Sequence, residues 1–165
     1  MSIAVLGVDP RSRSKVKLDA PAPLPHVSRR ALARVRDRIA PPRACHCCGG
    51  KVRLTDNSEI YGGQSFGDWP FVYRCTECPA YVGLHPDTDL PLGIMADRVT
   101  IAARKEAKAV FQRLTRERFG DNRNAAYAWL AQAMGIAPST CHFAMFGRER
   151  AAHAAQVCRL ELESR

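Results

Sequence analysis

The sequence predicts an α+β protein: a small zinc-ribbon β element, then a helical C-terminal half, with a basic flexible N-terminal arm in front. Three observations carry this reading. Two Cys-x-x-Cys pairs, Cys45/Cys48 and Cys75/Cys78, flank short β-prone runs. From Asp97 onward the apolar residues recur at helical spacing. Residues 1–44 hold ten Lys+Arg against three Asp, and six prolines. At 165 residues and 46% hydrophobic content the chain is long enough for one domain or a small pair. The expected boundaries are 1–42 for the arm, 43–96 for the ribbon and 97–165 for a helical module packed on it.

The arm carries a net charge of +7, whereas residues 45–165 hold 15 cations against 13 acids. A proline-rich, charged stretch buries too little apolar area to offset its ordering entropy, so residues 1–27 are expected to be flexible. Ser28 then caps a short helix over 28–40, with Leu32, Val35 and Ile39 at helical spacing, ended by Pro41-Pro42. Arg29, Arg30, Arg34, Arg36 and Arg38 line that helix and are candidate phosphate contacts; a merely solvated tail explains them equally well. On this reading a chain starting near Pro42 keeps its zinc and its fold and loses most of its electrostatic binding.

The cysteine pairs are separated by 26 residues between Cys48 and Cys75. That spacing suits one structural Zn2+ held by the thiolates of Cys45, Cys48, Cys75 and Cys78, each pair forming a tight knuckle. Four cysteines close the coordination sphere, so the zinc is expected to hold structure and not to activate water. Lys51 to Leu54, Glu59 to Tyr61, Phe71 to Arg74 and Tyr81 to Leu84 read as strands. Cys47 is out of register for a ligand, His46 is expected to face solvent or cap a sulfur, and His85 is expected in a supporting or surface role. Trp69, Phe71 and Tyr73 could stack bases beside a basic surface, but a small ribbon needs them first as its core.

Asp97 to Phe119 reads as an amphipathic helix with Val99, Ala103, Ala107, Val110, Phe111 and Leu114 as its apolar stripe. Its polar face includes Arg104, Lys105 and Lys108, which are candidate phosphate contacts. Asn122 or Asp121 caps the next helix, which buries Ala125, Trp129, Leu130, Ala133 and Met134 and ends at Gly135. A further helix is expected from Pro138, and the last from about Arg148 to Glu163. Ala131, Gly135 and Cys141 have the spacing of a helix-turn-helix over 125–146, which would place Ser139, Thr140 and His142 at the start of a recognition helix. Cys141 and Cys158 read as small buried hydrophobes.

Several separate blocks together resemble a known family: Cys45-x-x-Cys48-Gly49, Val72-Tyr73-Arg74-Cys75-x-x-Cys78, Ala80-Tyr81-Val82-Gly83-x-His85, Pro91-Leu92-Gly93-x-x-Ala96-Asp97, Ala126-Tyr127-Ala128-Trp129-Leu130-Ala131 and Cys141-His142-x-x-Met145-Phe146. They look like the zinc-finger-containing domain family of phages and prophages, over roughly residues 43–160. The resemblance implies a zinc-binding domain of uncharacterised function with Cys45, Cys48, Cys75 and Cys78 as ligands. The chain departs from the family's pattern at Leu84, where a cysteine is usual, and in its extra Cys47 and long basic arm.

The composition, with a net charge of +9, points first to a non-enzymatic protein that binds nucleic acid, DNA before RNA, in a regulatory role. The alternative partner is an acidic host protein that a phage accessory protein would inhibit or redirect. A third class is a metal-dependent nuclease using His85, Asp87 and Asp89, though Pro86 and Pro91 mark that stretch as a turn-rich loop. No run of about 18 apolar residues and no secretory leader are present, so the expected setting is a bacterial host cytoplasm with reduced thiols and no membrane contact.

Overall fold

The computed structural model describes residues 4–164, so the first three residues of the expected arm and Arg165 lie outside the described residues. The chain forms two compact units, one extending through Asp97 and one beginning at Arg98. No helix is long and apolar enough to cross a membrane among the described residues.

The N-terminal unit is built on a three-stranded antiparallel sheet, β1 (Val52–Asp56), β2 (Phe71–Cys75) and β3 (Tyr81–Gly83), in that order. Its register sets Leu54 opposite Tyr73 and Tyr73 opposite Val82. Tyr73 is therefore the centre of one face, and its hydroxyl donates to the Asp89 carbonyl at 2.7 Å. Trp69 donates from its indole N–H to the Thr88 carbonyl at 3.0 Å and meets Phe71 edge-on. The ribbon aromatics thus serve as core, and Tyr73 is too buried to stack a base. After β3 the chain turns back, and Tyr81 and Ala96 exchange backbone hydrogen bonds of 3.1 and 3.0 Å.

The strand expected at Glu59 to Tyr61 does not form. Asn57–Glu59 is a turn of 3-10 helix instead. The Asp56 carboxylate accepts from the Ser58 N–H at 2.7 Å and the Ser65 hydroxyl at 2.6 Å, and the Asn57 amide makes a reciprocal pair of bonds with the Phe66 backbone. Short polar side chains here offer the backbone an alternative to the ladder, and the chain leaves the sheet as a loop.

The N-terminal segment departs from the flexible-arm expectation. A 3-10 turn at Pro10–Arg13 is capped by Asp9, and a short helix α1 spans Arg29–Arg34, capped by Ser28 as expected but ending well before Pro41. Leu24, Val27, Leu32 and Val35 are buried in the same apolar cluster as Tyr73, Val82, Leu84, Leu90 and Met95. Two polar ties fix the segment. Arg11 reaches Asp89 with both terminal nitrogens, at 2.9 and 2.7 Å, while also bonding Asp9. The Ser28 N–H donates to the Asp87 carbonyl at 2.8 Å, and His26 lies 3.1 Å from the Asp87 carboxylate. Charge counting alone misleads here, because residues 45–97 hold three Lys+Arg against seven Asp+Glu. The ribbon is acidic, and it attracts the basic segment that precedes it.

The C-terminal unit contains three helices, α2 (Arg98–Phe119), α3 (Arg123–Met134) and α4 (Arg148–Glu163). Phe111, Leu114, Leu130, Phe146, Ala154 and Cys158 form its interior. Val99, expected on the inner stripe of α2, is exposed, as is Ala133 on α3. Asn122 caps α3, accepting from the Ala125 N–H at 3.1 Å. Gly135 ends it in the left-handed region at φ +62°, where the Gly135 and Ile136 N–H groups close back on Gln132 and Ala131. The helix expected from Pro138 is two separate turns of 3-10 helix, Pro138–Thr140 and Phe143–Met145. Phe111, Phe143 and Phe146 interlock there with ring separations of 5.4 Å, and this aromatic wedge takes the place of a second helix. Arg118 closes the unit by donating to the Glu161, Leu162 and Ser164 carbonyls at the end of α4.

Replacing Arg11 by Ala leaves the buried Asp89 carboxylate without its cation. The expected loss of stability is about 2 kcal/mol, below that of a fully buried pair because the Arg11 side chain keeps 37% of its exposure. Burial alone would raise the Asp9 pKa, but its bonds to Arg11 outweigh this and hold it below the ordinary aspartate value. That contribution is present above the ordinary value and is lost as pH falls through the depressed value, so Arg11→Ala also flattens the acid limb of the stability curve. Thermal denaturation across pH checks both; unchanged melting would show that the segment is not docked. Deleting residues up to Pro42, for the same reason, is now expected to destabilise the ribbon by exposing its apolar cluster.

Candidate metal centre

The ribbon's two knuckles are copies of one local structure. In the first, the Cys45 N–H donates to the Gly50 carbonyl at 2.8 Å; in the second, the Cys75 N–H donates to the Ala80 carbonyl at 2.9 Å, at the same separation in sequence. Within them, N–H groups two residues on point at sulfur: Cys47 at Cys45, Gly50 at Cys48 and Glu77 at Cys75, each at 3.4 Å, and Ala80 at Cys78. Gly49 stands at φ +76°, which only glycine adopts without strain. At Gly50 a Cβ would lie 2.6 Å from the Glu77 side chain, whose carboxylate accepts from the Lys51 N–H at 3.2 Å across the two knuckles.

The knuckles bring the four expected sulfurs together. Cys45 Sγ lies 3.6 Å from Cys78 Sγ and Cys48 Sγ 3.5 Å from Cys75 Sγ, and all four sulfurs lie within 4.8 Å of one another. Sulfurs about 2.3 Å from a tetrahedral ion stand ~3.8 Å apart, so these separations match the edges of a zinc tetrahedron. Burial raises the Cys75 thiol pKa, but the N–H groups of Glu77 and Cys78 and the neighbouring thiols bring it down to about 7, while burial drives Cys78 well upward. Uneven thiols crowded this closely and served by N–H donors fit one structural Zn2+, which supplies a charge-compensating cross-link between the two knuckles.

The residues between the ligands have a separate task. His46 Nδ1 accepts from the Met95 N–H at 3.2 Å, and the Cys47 thiol donates to the Met95 carbonyl at 3.8 Å. His46 is exposed, as expected, and one of its ring nitrogens is engaged by Met95. Together the two side chains clasp the segment that pairs with β3. Sequence spacing could exclude Cys47 as a ligand but could not reveal this clasp, which joins residues 48 and 49 positions apart.

The other candidate residues are dispersed. The Asp89 carboxylate is occupied by Arg11 and the Asp87 carboxylate by His26, and His85, Asp87 and Asp89 do not converge as a metal-holding group. Among the described residues no other group of three or more His, Cys, Asp or Glu is close enough to hold a metal. Arg30, Arg34 and Arg36 are exposed, whereas Arg38 is half-buried, takes the Leu6 N–H on its carbonyl and contributes to lowering Asp9. Arg29 is exposed and donates to the Val16 carbonyl. Arg104 donates to the Phe146 carbonyl at 2.7 Å and so braces the helical unit, while Lys105 and Lys108 project to solvent. Ser139 and Thr140 fall on the first 3-10 turn and His142 is extended just before the second, and Thr140 bonds back to Ala137 at 2.9 Å, so they are not presented by a recognition helix. Cys141 and Cys158 are buried, and burial pushes their thiols up to about 11 and 12.

Two substitutions separate the ligands from their neighbour. Cys48→Ala is expected to abolish the single bound zinc and unfold the ribbon, since structural zinc in such sites is part of the folding free energy. Cys47→Ser is expected to retain one zinc per chain and to lose only a modest amount of stability. Metal content by mass spectrometry and thermal melting decide this; loss of zinc in Cys47→Ser would place Cys47 in the coordination sphere.

No curated protein and no solved structure matches the chain. The model of a zinc-finger-containing domain family matches residues 41–161, which takes in both knuckles, the whole sheet and nearly all of the helical unit. With that match and with four cysteines placed for one zinc ion, the chain belongs to this zinc-finger-containing domain family.

Proposed function

We propose that this zinc-binding protein acts without catalysis by binding nucleic acid, DNA first, in a regulatory role. The setting we propose is the one the phage and prophage resemblance implies, a bacterial host cytoplasm. The observation that carries the reading is the distribution of charge once the fold is taken into account. The basic N-terminal segment lies against an acidic ribbon, and much of its charge is offset there. Residues 98–165 instead hold twelve Lys+Arg against six Asp+Glu, a net of +6. On α2, Lys105 and Lys108 are exposed, and neither forms an ion pair among the described residues. Exposed cations with no carboxylate partner are what phosphate contacts require, because each phosphate neutralised releases condensed counterions. Arg30 and Arg34 on α1, with Arg36 just beyond its end, add a second exposed basic stretch.

Fluorescence anisotropy with a duplex oligonucleotide across a salt series tests this. Log affinity is expected to fall linearly with log salt, with a slope of about −0.9 for each phosphate contacted. The double substitution Lys105→Ala, Lys108→Ala is expected to reduce that slope by roughly 2, without loss of zinc. A flat salt response would remove nucleic acid as the partner.

A further inference from the structure

The helical unit contains a half-open cleft between α2 and the start of α3, with a volume of about 340 Å³. This lies at the lower end of the roughly 300–1,000 Å³ typical of small-ligand sites. Lys108 and Arg116 come from α2, eight residues apart on one face, and Arg123 is the first residue of α3. Phe111 and Tyr127 supply the apolar lining, with ring centroids 4.6 Å apart, and the Arg123 guanidinium stands 5.6 Å from the Tyr127 ring centre. Asp121 contributes the cleft's one carboxylate.

None of the three cations forms an ion pair with a carboxylate among the described residues. Elsewhere in the unit cations are used internally: Arg113 pairs with Glu117, Arg159 with Glu106, and Arg118 caps α4. Three cations converging on one concavity repel one another and leave it with a net charge of +2 beside Asp121. A phosphomonoester carries about −1.5 to −2 at neutral pH and presents three acceptor oxygens, so it matches this deficit in both charge and hydrogen bonding. Tyr127, half-buried and backed by the buried Phe111, offers an apolar surface for a flat ring, and the Asp121 carboxylate is an acceptor suited to sugar hydroxyls or an exocyclic amine.

We propose that this cleft binds a single nucleotide unit bearing a phosphomonoester, with its phosphate on Lys108, Arg116 and Arg123 and its base against the half-buried Tyr127 ring. The chemistry is shared by a free nucleoside monophosphate and by the 5′-phosphorylated end of a strand. The site does not depend on duplex binding, and each can fail without the other.

Isothermal titration of the full-length, zinc-loaded chain tests it with AMP, adenosine, inorganic phosphate, and an oligonucleotide with and without a 5′-phosphate. AMP is expected to bind at least about tenfold more tightly than adenosine or phosphate, since only AMP engages both halves of the cleft. Arg116→Ala and Arg123→Lys are each expected to weaken AMP severalfold or more, Lys being unable to reproduce the planar fork of Arg, while Arg150→Ala on α4 leaves it unchanged. Circular dichroism and zinc content confirm that the variants are folded. If the 5′-phosphorylated oligonucleotide binds more tightly than AMP and its unphosphorylated form does not, the ligand is a strand end; if the 5′-phosphate makes no difference to the oligonucleotide while AMP binds, it is the free nucleotide. AMP binding no tighter than phosphate, or binding equal in wild type, Arg116→Ala and Arg123→Lys, would overturn the proposal.

Discussion

Four sulfurs held within 4.8 Å of one another set the terms for the whole N-terminal unit. Thiols crowded this closely cannot all ionise without a cation between them, and two short knuckles cannot hold them by backbone bonds alone. A zinc ion resolves both difficulties. The knuckles in turn fix the ends of the sheet: the first opens onto β1 and the second joins β2 to β3. The same loop also holds the returning chain, because His46 and Cys47 grip Met95 from the two positions between ligands. The metal centre thus organises residues well beyond its ligands while leaving no coordination position for chemistry.

A sheet of three short strands buries little by itself. The remaining cover comes from the N-terminal segment, whose Leu24, Val27, Leu32 and Val35 complete the apolar cluster around Tyr73. Electrostatics sets its direction of approach. The ribbon is acidic and the segment basic, and the Arg11–Asp89 pair is the point at which the two charges are desolvated together. Such a pair is weak as a source of net stability but strict about geometry, since either partner left alone and buried is costly. Positive charge that composition alone assigns to a free arm is therefore partly structural. What remains uncompensated is greatest in residues 98–165, and this is why the α2 part of the proposed nucleic-acid contact and the proposed nucleotide site are both placed there.

The helical unit shows how local sequence signals can be right and their combination wrong. Asn122 caps and Gly135 terminates α3 by mechanisms readable from the residues themselves. The small residue, glycine and cysteine at helix-turn-helix spacing are equally real. Yet the chain beyond Gly135 buries Phe143 between Phe111 and Phe146, and this packing favours two 3-10 turns over a regular helix. Propensity is a weak prior wherever large aromatics must find a place in a small core.

By itself the sequence determined the zinc ligands, the knuckle glycines, three of the four expected strands and the three long helices. Each is governed by spacing or capping among residues near one another in the chain, and such signals survive without tertiary context. The tertiary structure alone decided the docking of the N-terminal segment, the loop in place of the strand at Glu59, the clasp of His46 and Cys47 on Met95, and the convergence of Lys108, Arg116 and Arg123 on one cleft. These depend on pairings between distant residues or on competition between side-chain and backbone hydrogen bonds. Composition records how many charges and apolar groups a segment holds, but it cannot say which opposite charge or which apolar surface they will meet.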